Sequence, residues 1–166
     1  ILWSYSMKAH LHESGGRIDS ALYYIDKRMT SEKSLSKRKY HYYQKALLLM
    51  KTKDHTDAET LLDSAKIIAL NEKDEDFLYH LSTYYHELYT TQGQYAKALK
   101  TIQASRENMK RKDAASHNLY KAQSFELMHR EDSARYYYDV VAKSENLFLA
   151  SEAIYHLSRL AEADDD

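Results

Sequence analysis

Alanine recurs along this chain at a fixed step. Ala9 and Ala21 lie 12 residues apart, as do Ala46 and Ala58, and Ala122 and Ala134. His86 and Ala98 keep the same step with one substitution. The second members, Ala21, Ala58, Ala98 and Ala134, follow one another at intervals of 37, 40 and 36 residues. Two antiparallel helices approach closely only where their side chains are small, so an alanine on each side of a turn predicts a helix-turn-helix unit. Four such units at this period fall in the range of helical solenoids, in which each unit buries its apolar face on its neighbours.

Other positions follow the same register. Four residues after each second alanine stands Ile25, Leu62, Ile102 or Tyr138. Three residues after each first member stands His12, Leu49, Tyr89 or Phe125, with His12 the exception to an apolar rule. The longer interval of 40 accommodates the acidic turn Asn71-Glu72-Lys73-Asp74-Glu75-Asp76. Apolar periodicity predicts helices near 2–14, 17–29, 36–52, 55–70, 75–91, 95–111, 114–129, 131–145 and 149–163. Gly15-Gly16 and Gly93 are expected at turns, where a positive φ is cheap for glycine. Asp54 and Asp113 are expected N-caps, and Thr56 with Glu59 has the spacing of a capping box. Lys110, Arg111 and Lys112 are expected to close the sixth helix, against the negative end of its dipole.

Composition narrows the alternatives. The chain has no proline and three glycines, which argues against an all-β fold. It has no cysteine, which removes disulfide scaffolds, thiolate metal sites and cysteine nucleophiles. A net charge of −1 gives no support to a polyphosphate partner. No apolar run approaches the roughly 20 residues of a membrane helix. The chain opens Ile1-Leu2-Trp3 without an initiator methionine, so a fragment or a mature segment is expected, with any signal peptide or anchor outside it.

The third unit reads Tyr85-x-x-x-Tyr89-x-x-x-Gly93-x-Tyr95-x-x-Ala98. That order of helix-A aromatics, turn glycine, tyrosine and helix-B alanine resembles the tetratricopeptide repeat (TPR). The other units keep the alanine pair and lose the rest. No unit has the proline that commonly ends such a repeat, and His86 stands where helix A has a small residue. The resemblance implies an all-α fold, a right-handed α-α superhelix of about nine helices. The expected domain covers 1–166, with units near 2–33, 36–73, 75–112 and 114–146 and an unpaired helix at 149–163. On that last helix, Ile154, Leu157, Leu160 and Ala161 are expected to face a missing partner, and Asp164-Asp165-Asp166 to mark the next turn. An uncapped apolar face could also support a homodimer through the terminal helix.

In the family, ligands lie along the concave face of the A helices. Counted from the alanine register, that face carries Trp3, Ser6, His10 and Glu13, then Tyr40, Tyr43, Leu47 and Lys51, then His80, Thr83 and Glu87. It continues with Leu119, Gln123 and Glu126, and ends at Tyr155 and Arg159. Aromatics with polar tips suit an extended peptide. The family's carboxylate clamp would need Lys and Asn where this chain has Ser6 and His10, so chaperone-tail binding is not expected. Tyr23, Tyr24, Tyr136, Tyr137 and Tyr138 fall on B helices and are expected in the core or on the convex side.

Catalytic and metal chemistry find little support. His10 and His12 are two apart and His80 and His86 six apart, which suits no helix face, and no HExxH occurs. No glycine-rich phosphate loop is present. The run Lys37-Arg38-Lys39-Tyr40-His41-Tyr42-Tyr43-Gln44-Lys45 mixes basic and aromatic residues as single-strand binders do, but on a helix these residues point to different faces. The expectation is a non-enzymatic module without metal or cofactor that binds a protein or peptide, with nucleic acid not favoured and no membrane contact within the segment. The alternative is an extracytoplasmic sensory segment of a larger membrane-anchored signalling or transcriptional regulator. The stretch Ala150-Ser151-Glu152-Ala153-Ile154-Tyr155-His156-Leu157 resembles those of bacterial regulators with degenerate repeats, and it tilts the expected compartment toward the periplasm.

Overall fold

A computed structural model describes the backbone of residues 2–107 and 114–163, and the side chains of 4–105 and 114–163. Nine helices account for these residues: α1 (Leu2–Ser14), α2 (Ile18–Ser31), α3 (Leu35–Lys51), α4 (His55–Glu72), α5 (Glu75–Thr91), α6 (Tyr95–Glu107), α7 (Ala115–Leu127), α8 (Glu131–Ala142) and α9 (Leu147–Glu162). The all-α class is as the periodicity requires. Asp113, the Lys110–Lys112 run, the expected end of the sixth helix near 111 and Asp164–Asp166 lie outside the described residues, as does the side chain of Trp3.

The chain forms two compact units, Ile1–Leu88 and Tyr89–Asp166. In the first, α1 packs on α2, α2 on α3 and α3 on α4. α5 joins them through Phe77 against Tyr40 and through Tyr85, whose hydroxyl donates to Asp63. In the second, α6 packs on α7, α7 on α8 and α8 on α9, and α7 also touches α9.

The alanines do what their spacing demands. Ala21, Ala46, Ala58, Ala98, Ala122 and Ala134 are wholly buried, and Ala9 nearly so. Ile25, Leu62, Ile102 and Tyr138, four residues after the second members, are buried too. Ala122 and Ala134 share one core with Leu119, Phe125, Tyr138, Val141, Ala153 and Leu160. His12 takes a different role from its apolar counterparts: its ring stacks on Tyr24 with centroids 5.3 Å apart and accepts a hydrogen bond from Arg17 Nε at 2.9 Å.

The turns repeat as closely as the alanines. Gly16, Lys53, Gly93 and His129 each stand two residues past the end of α1, α3, α5 and α7, and all have φ between 55° and 72°. The next residue then donates back across the helix end, from Arg17 to His12, Asp54 to Leu49, Gln94 to Tyr89 and Arg130 to Phe125, at 2.8–2.9 Å. This six-to-one bond satisfies a carbonyl that the helix end leaves open. Two of these four turn positions hold glycine, as expected from sequence. The other two hold lysine and histidine, which tolerate the conformation at a cost of about 1 kcal/mol.

Capping differs in detail from expectation. Asp54 is the N-cap of α4, but its side chain makes no capping bond, and Thr56 lies inside the helix rather than at a capping-box N-cap. Side chains that cap among the described residues include Ser34 for α3, Asp74 for α5 and Asn146 for α9, which accept from the Lys37, Phe77 and Leu149 N–H groups.

Candidate functional site

The first unit carries an aromatic face built by α3 and α5. Tyr40 and Tyr43 are three residues apart and so share one side of α3, while Phe77 and Tyr84, seven apart, share one side of α5. Tyr40 meets Phe77 edge-on at 5.2 Å, and Tyr43 meets the same ring at 5.9 Å. Tyr43 stacks on Tyr84 at 5.1 Å with planes 9° apart. Phe77 is buried and Tyr43 and Tyr84 are partly buried, whereas Tyr40 is 43% exposed. The result is a supported row of rings with its open end at Tyr40.

A buried cation lies beneath this row. Lys39 is 3% exposed, and its ammonium donates to Glu72 and Asp74 at 2.5 Å each. The same nitrogen sits 5.4 Å from the Tyr40 ring and 5.3 Å from the Phe77 ring, within cation-π range. Burial works to lower the Lys39 pKa, but the hydrogen bonds to Asp74 and Glu72 outweigh it and hold the pKa above its usual value. The Asp74 pKa is held down, first by Lys39 and also by the Phe77 N–H that it caps. The acidic turn that lengthens the second interval thus supplies counter-charges to Lys39.

The remaining predicted residues of this unit are arranged more loosely. Glu13 of α1 and Lys51 of α3 form an ion pair at 2.7 Å, both partly exposed. His10, His80 and Glu87 are exposed, His80 with its ring edge against Tyr79. Thr83 satisfies its hydroxyl on the His80 carbonyl.

In the second unit the predicted Glu126 and Arg159 meet two further side chains, Tyr138 and His156, at one carboxylate. Glu126 of α7 accepts from the Tyr138 hydroxyl of α8 at 2.5 Å and from His156 Nδ1 of α9 at 2.9 Å. Arg159 brings a guanidinium nitrogen to 4.0 Å from the second carboxylate oxygen. The His156 ring stacks on Tyr138 at 4.8 Å with planes 9° apart. One turn earlier, Gln123 donates to Glu152 at 3.1 Å. Tyr138 is wholly buried, and burial, followed by the adjacent Glu126 carboxylate, raises its pKa so that the phenol stays protonated. Tyr155 is exposed, with the Arg159 guanidinium 5.9 Å from its ring.

Within the second unit, Gln123, Glu126, Tyr155 and Arg159 therefore share the side formed by α7 and α9. Leu119, assigned to the groove by register, is instead buried in the core, because its position on α7 faces the cluster that α8 and α9 complete. Residue spacing assigned none of Phe77, Tyr84, Lys39 and His156 to this surface, and Tyr138, expected in the core or on the convex side, is indeed buried while its hydroxyl reaches Glu126. Tyr84 had a usable signal, since it is four residues after His80 and three before Glu87. Chemically, both faces are suited to recognition: rings braced by their neighbours, and charges already paired but partly open to water. No family model matches the chain, and none of the curated proteins compared with it matches.

Proposed function

We propose that this chain is a protein-interaction module that holds an extended peptide segment of a partner against the exposed side chains of its odd-numbered helices. The row of rings on α3 and α5 carries the reading. Tyr40 is open to solvent while Phe77, Tyr43 and Lys39 fix its surroundings, so it can cover a ligand side chain with little loss of rotamer freedom. The resemblance to TPR repeats supports the same side of the helices. The hub around Glu126 would serve in the same way in the second unit, with Tyr155 and Arg159 as its exposed members.

The test is selection of peptides from a random library on the intact chain, followed by titration of the selected peptides. Tyr40→Ala is expected to weaken binding at least tenfold at unchanged helical circular dichroism, since Tyr40 is half exposed and its loss leaves Tyr43, Phe77 and Tyr84 packed. Tyr155→Ala is the matching variant for the second unit. Selected peptides that bind both variants as tightly as the parent chain would refute this surface as the binding face.

A further inference from the structure

Helix α9 covers the second unit with one side only. Ala150, Ala153 and Leu160 are buried, and Leu149 and Leu157 pack partly buried on the same core. Leu157 and Leu160, expected from sequence to face a missing partner, are therefore turned inward, because the Tyr138 and Val141 side of α8 needs their cover. Ile154 and Ala161, expected with them, do lie on the uncovered side. Leu147 is 80% exposed, Phe148 77%, Ile154 53% and Tyr155 61%.

Leu147, Ser151, Ile154, Ser158 and Ala161 follow one another at steps of four, three, four and three, the spacing of a coiled-coil seam. All five are exposed. The seam alternates large and small: leucine, serine, isoleucine, serine, alanine. Two copies in parallel register would set leucine on leucine and serine on serine, crowding some layers and leaving others loose. Two antiparallel copies, with the two-fold axis between Ser151 and Ile154, set Leu147 against Ser158 of the second copy and Ser151 against its Ile154. Every large side chain then meets a small one. The same arrangement brings Phe148 beside Tyr155 of the second copy, since both follow a large seam residue by one.

We propose that this side of α9 is a self-association face, on which two copies of the chain pair antiparallel. The four large apolar side chains expose on the order of 500 Å² per copy, as much as the largest patch of an ordinary monomer. Burying both patches removes about 1,000 Å², the lower bound for a specific interface, so the dimer forms in a concentration-dependent way. The inference does not rest on the peptide-binding proposal. Tyr155 borders both surfaces, and the variants below leave it in place.

Sedimentation equilibrium of the intact chain from about 10 µM to about 1 mM is expected to show a dimer fraction that rises with concentration. Ile154→Glu should shift the protein to monomer, weakening association at least tenfold with unchanged helical content. Tyr136→Glu, on the exposed side of α8 and off the seam, should leave association intact. Register is read by cross-linking, since the chain has no cysteine of its own. Mixed Leu147→Cys and Ser158→Cys chains should form a disulfide on mild oxidation. Ser158→Cys alone should not, because its two copies would stand about 16 Å apart along the helix axis. A monomer at every concentration, equal loss on Tyr136→Glu, or a Ser158→Cys homodisulfide would each overturn the proposal.

Discussion

Replacing Ala134 by leucine tests the step on which the whole architecture depends. Ala134 is wholly buried, in one core with Ala122, Phe125 and Tyr138. Leucine adds three carbons. If a void awaited them, their burial would stabilise the fold by roughly 0.8 kcal/mol per carbon, about 2.4 kcal/mol in all. If α7 and α8 approach closely because both carry alanine here, no void exists, and the extra carbons must displace a helix or leave their preferred rotamer. The net effect is then a loss of about 1–3 kcal/mol. The two accounts differ in sign, which makes the experiment decisive.

The assay is urea unfolding followed by circular dichroism. With a slope near 2 kcal/mol/M, typical of a small protein, a loss of 2 kcal/mol lowers the midpoint by about 1 M. Asp139→Leu, at an exposed position of the same helix, should change stability by no more than about 0.5 kcal/mol. Ala122→Gly introduced beside Ala134→Leu should recover part of the loss by making room on the facing helix. A midpoint for Ala134→Leu at or above that of the parent chain would refute the close-approach argument.

Two further outcomes follow from the same geometry. His41 is 1% exposed, neither ring nitrogen has a hydrogen-bond partner among the described residues, and Glu32 lies 3.8 Å away. Burial first, then repulsion from Arg28, holds its pKa below the usual histidine value despite Glu32. The folded state therefore binds fewer protons than the unfolded one, so this contribution to stability is complete above the unfolded pKa near 6.5 and is lost as pH falls below it. The urea midpoint of the parent chain should fall between about pH 7 and pH 5, and the fall should be shallower in His41→Leu; an identical slope would refute the assignment to His41. At the left-handed turn after α7, His129→Gly should leave stability unchanged or raise it by up to about 1 kcal/mol, because relief of the positive φ opposes the greater freedom of glycine in the unfolded chain, whereas His129→Val should lower the thermal midpoint.

The fold was legible because its determinants are periodic and local. Alanine spacing located the helix pairs and Gly16 and Gly93 located two of the turns, so among the described residues the helix bounds lie within a few residues of those expected. Lys53 and His129 were missed as turn residues because residue type does not announce a left-handed conformation; only their common position, two residues past a helix end, does. Thr56 and Glu59 misled for a related reason. A capping-box pattern can occur just inside a helix, here two residues past the N-cap Asp54, and the αL turn at Lys53 had already fixed where α4 begins.

The candidate faces were less legible because their decisive contacts join residues far apart in sequence. Lys39 finds Glu72 and Asp74 from 33 and 35 residues away, and Glu126 finds His156 from 30. Composition around Lys39 suggests a solvated basic run, yet Lys39 and His41 are buried on either side of exposed Tyr40. What separates them is helix rotation, which the alanine register specifies once it is trusted. His41 and His117 both stand five residues before an alanine, Ala46 and Ala122, and both are buried. In α9 the equivalent alanine position is Leu157, five residues before the end of the helix, and Leu157 packs on the core. The seam that remains outside, Leu147 to Ala161, is thus defined by the register that builds the interior: whatever the repeat does not turn inward on its last described helix is left as surface, and there that surface has the spacing of a second helix-pairing stripe.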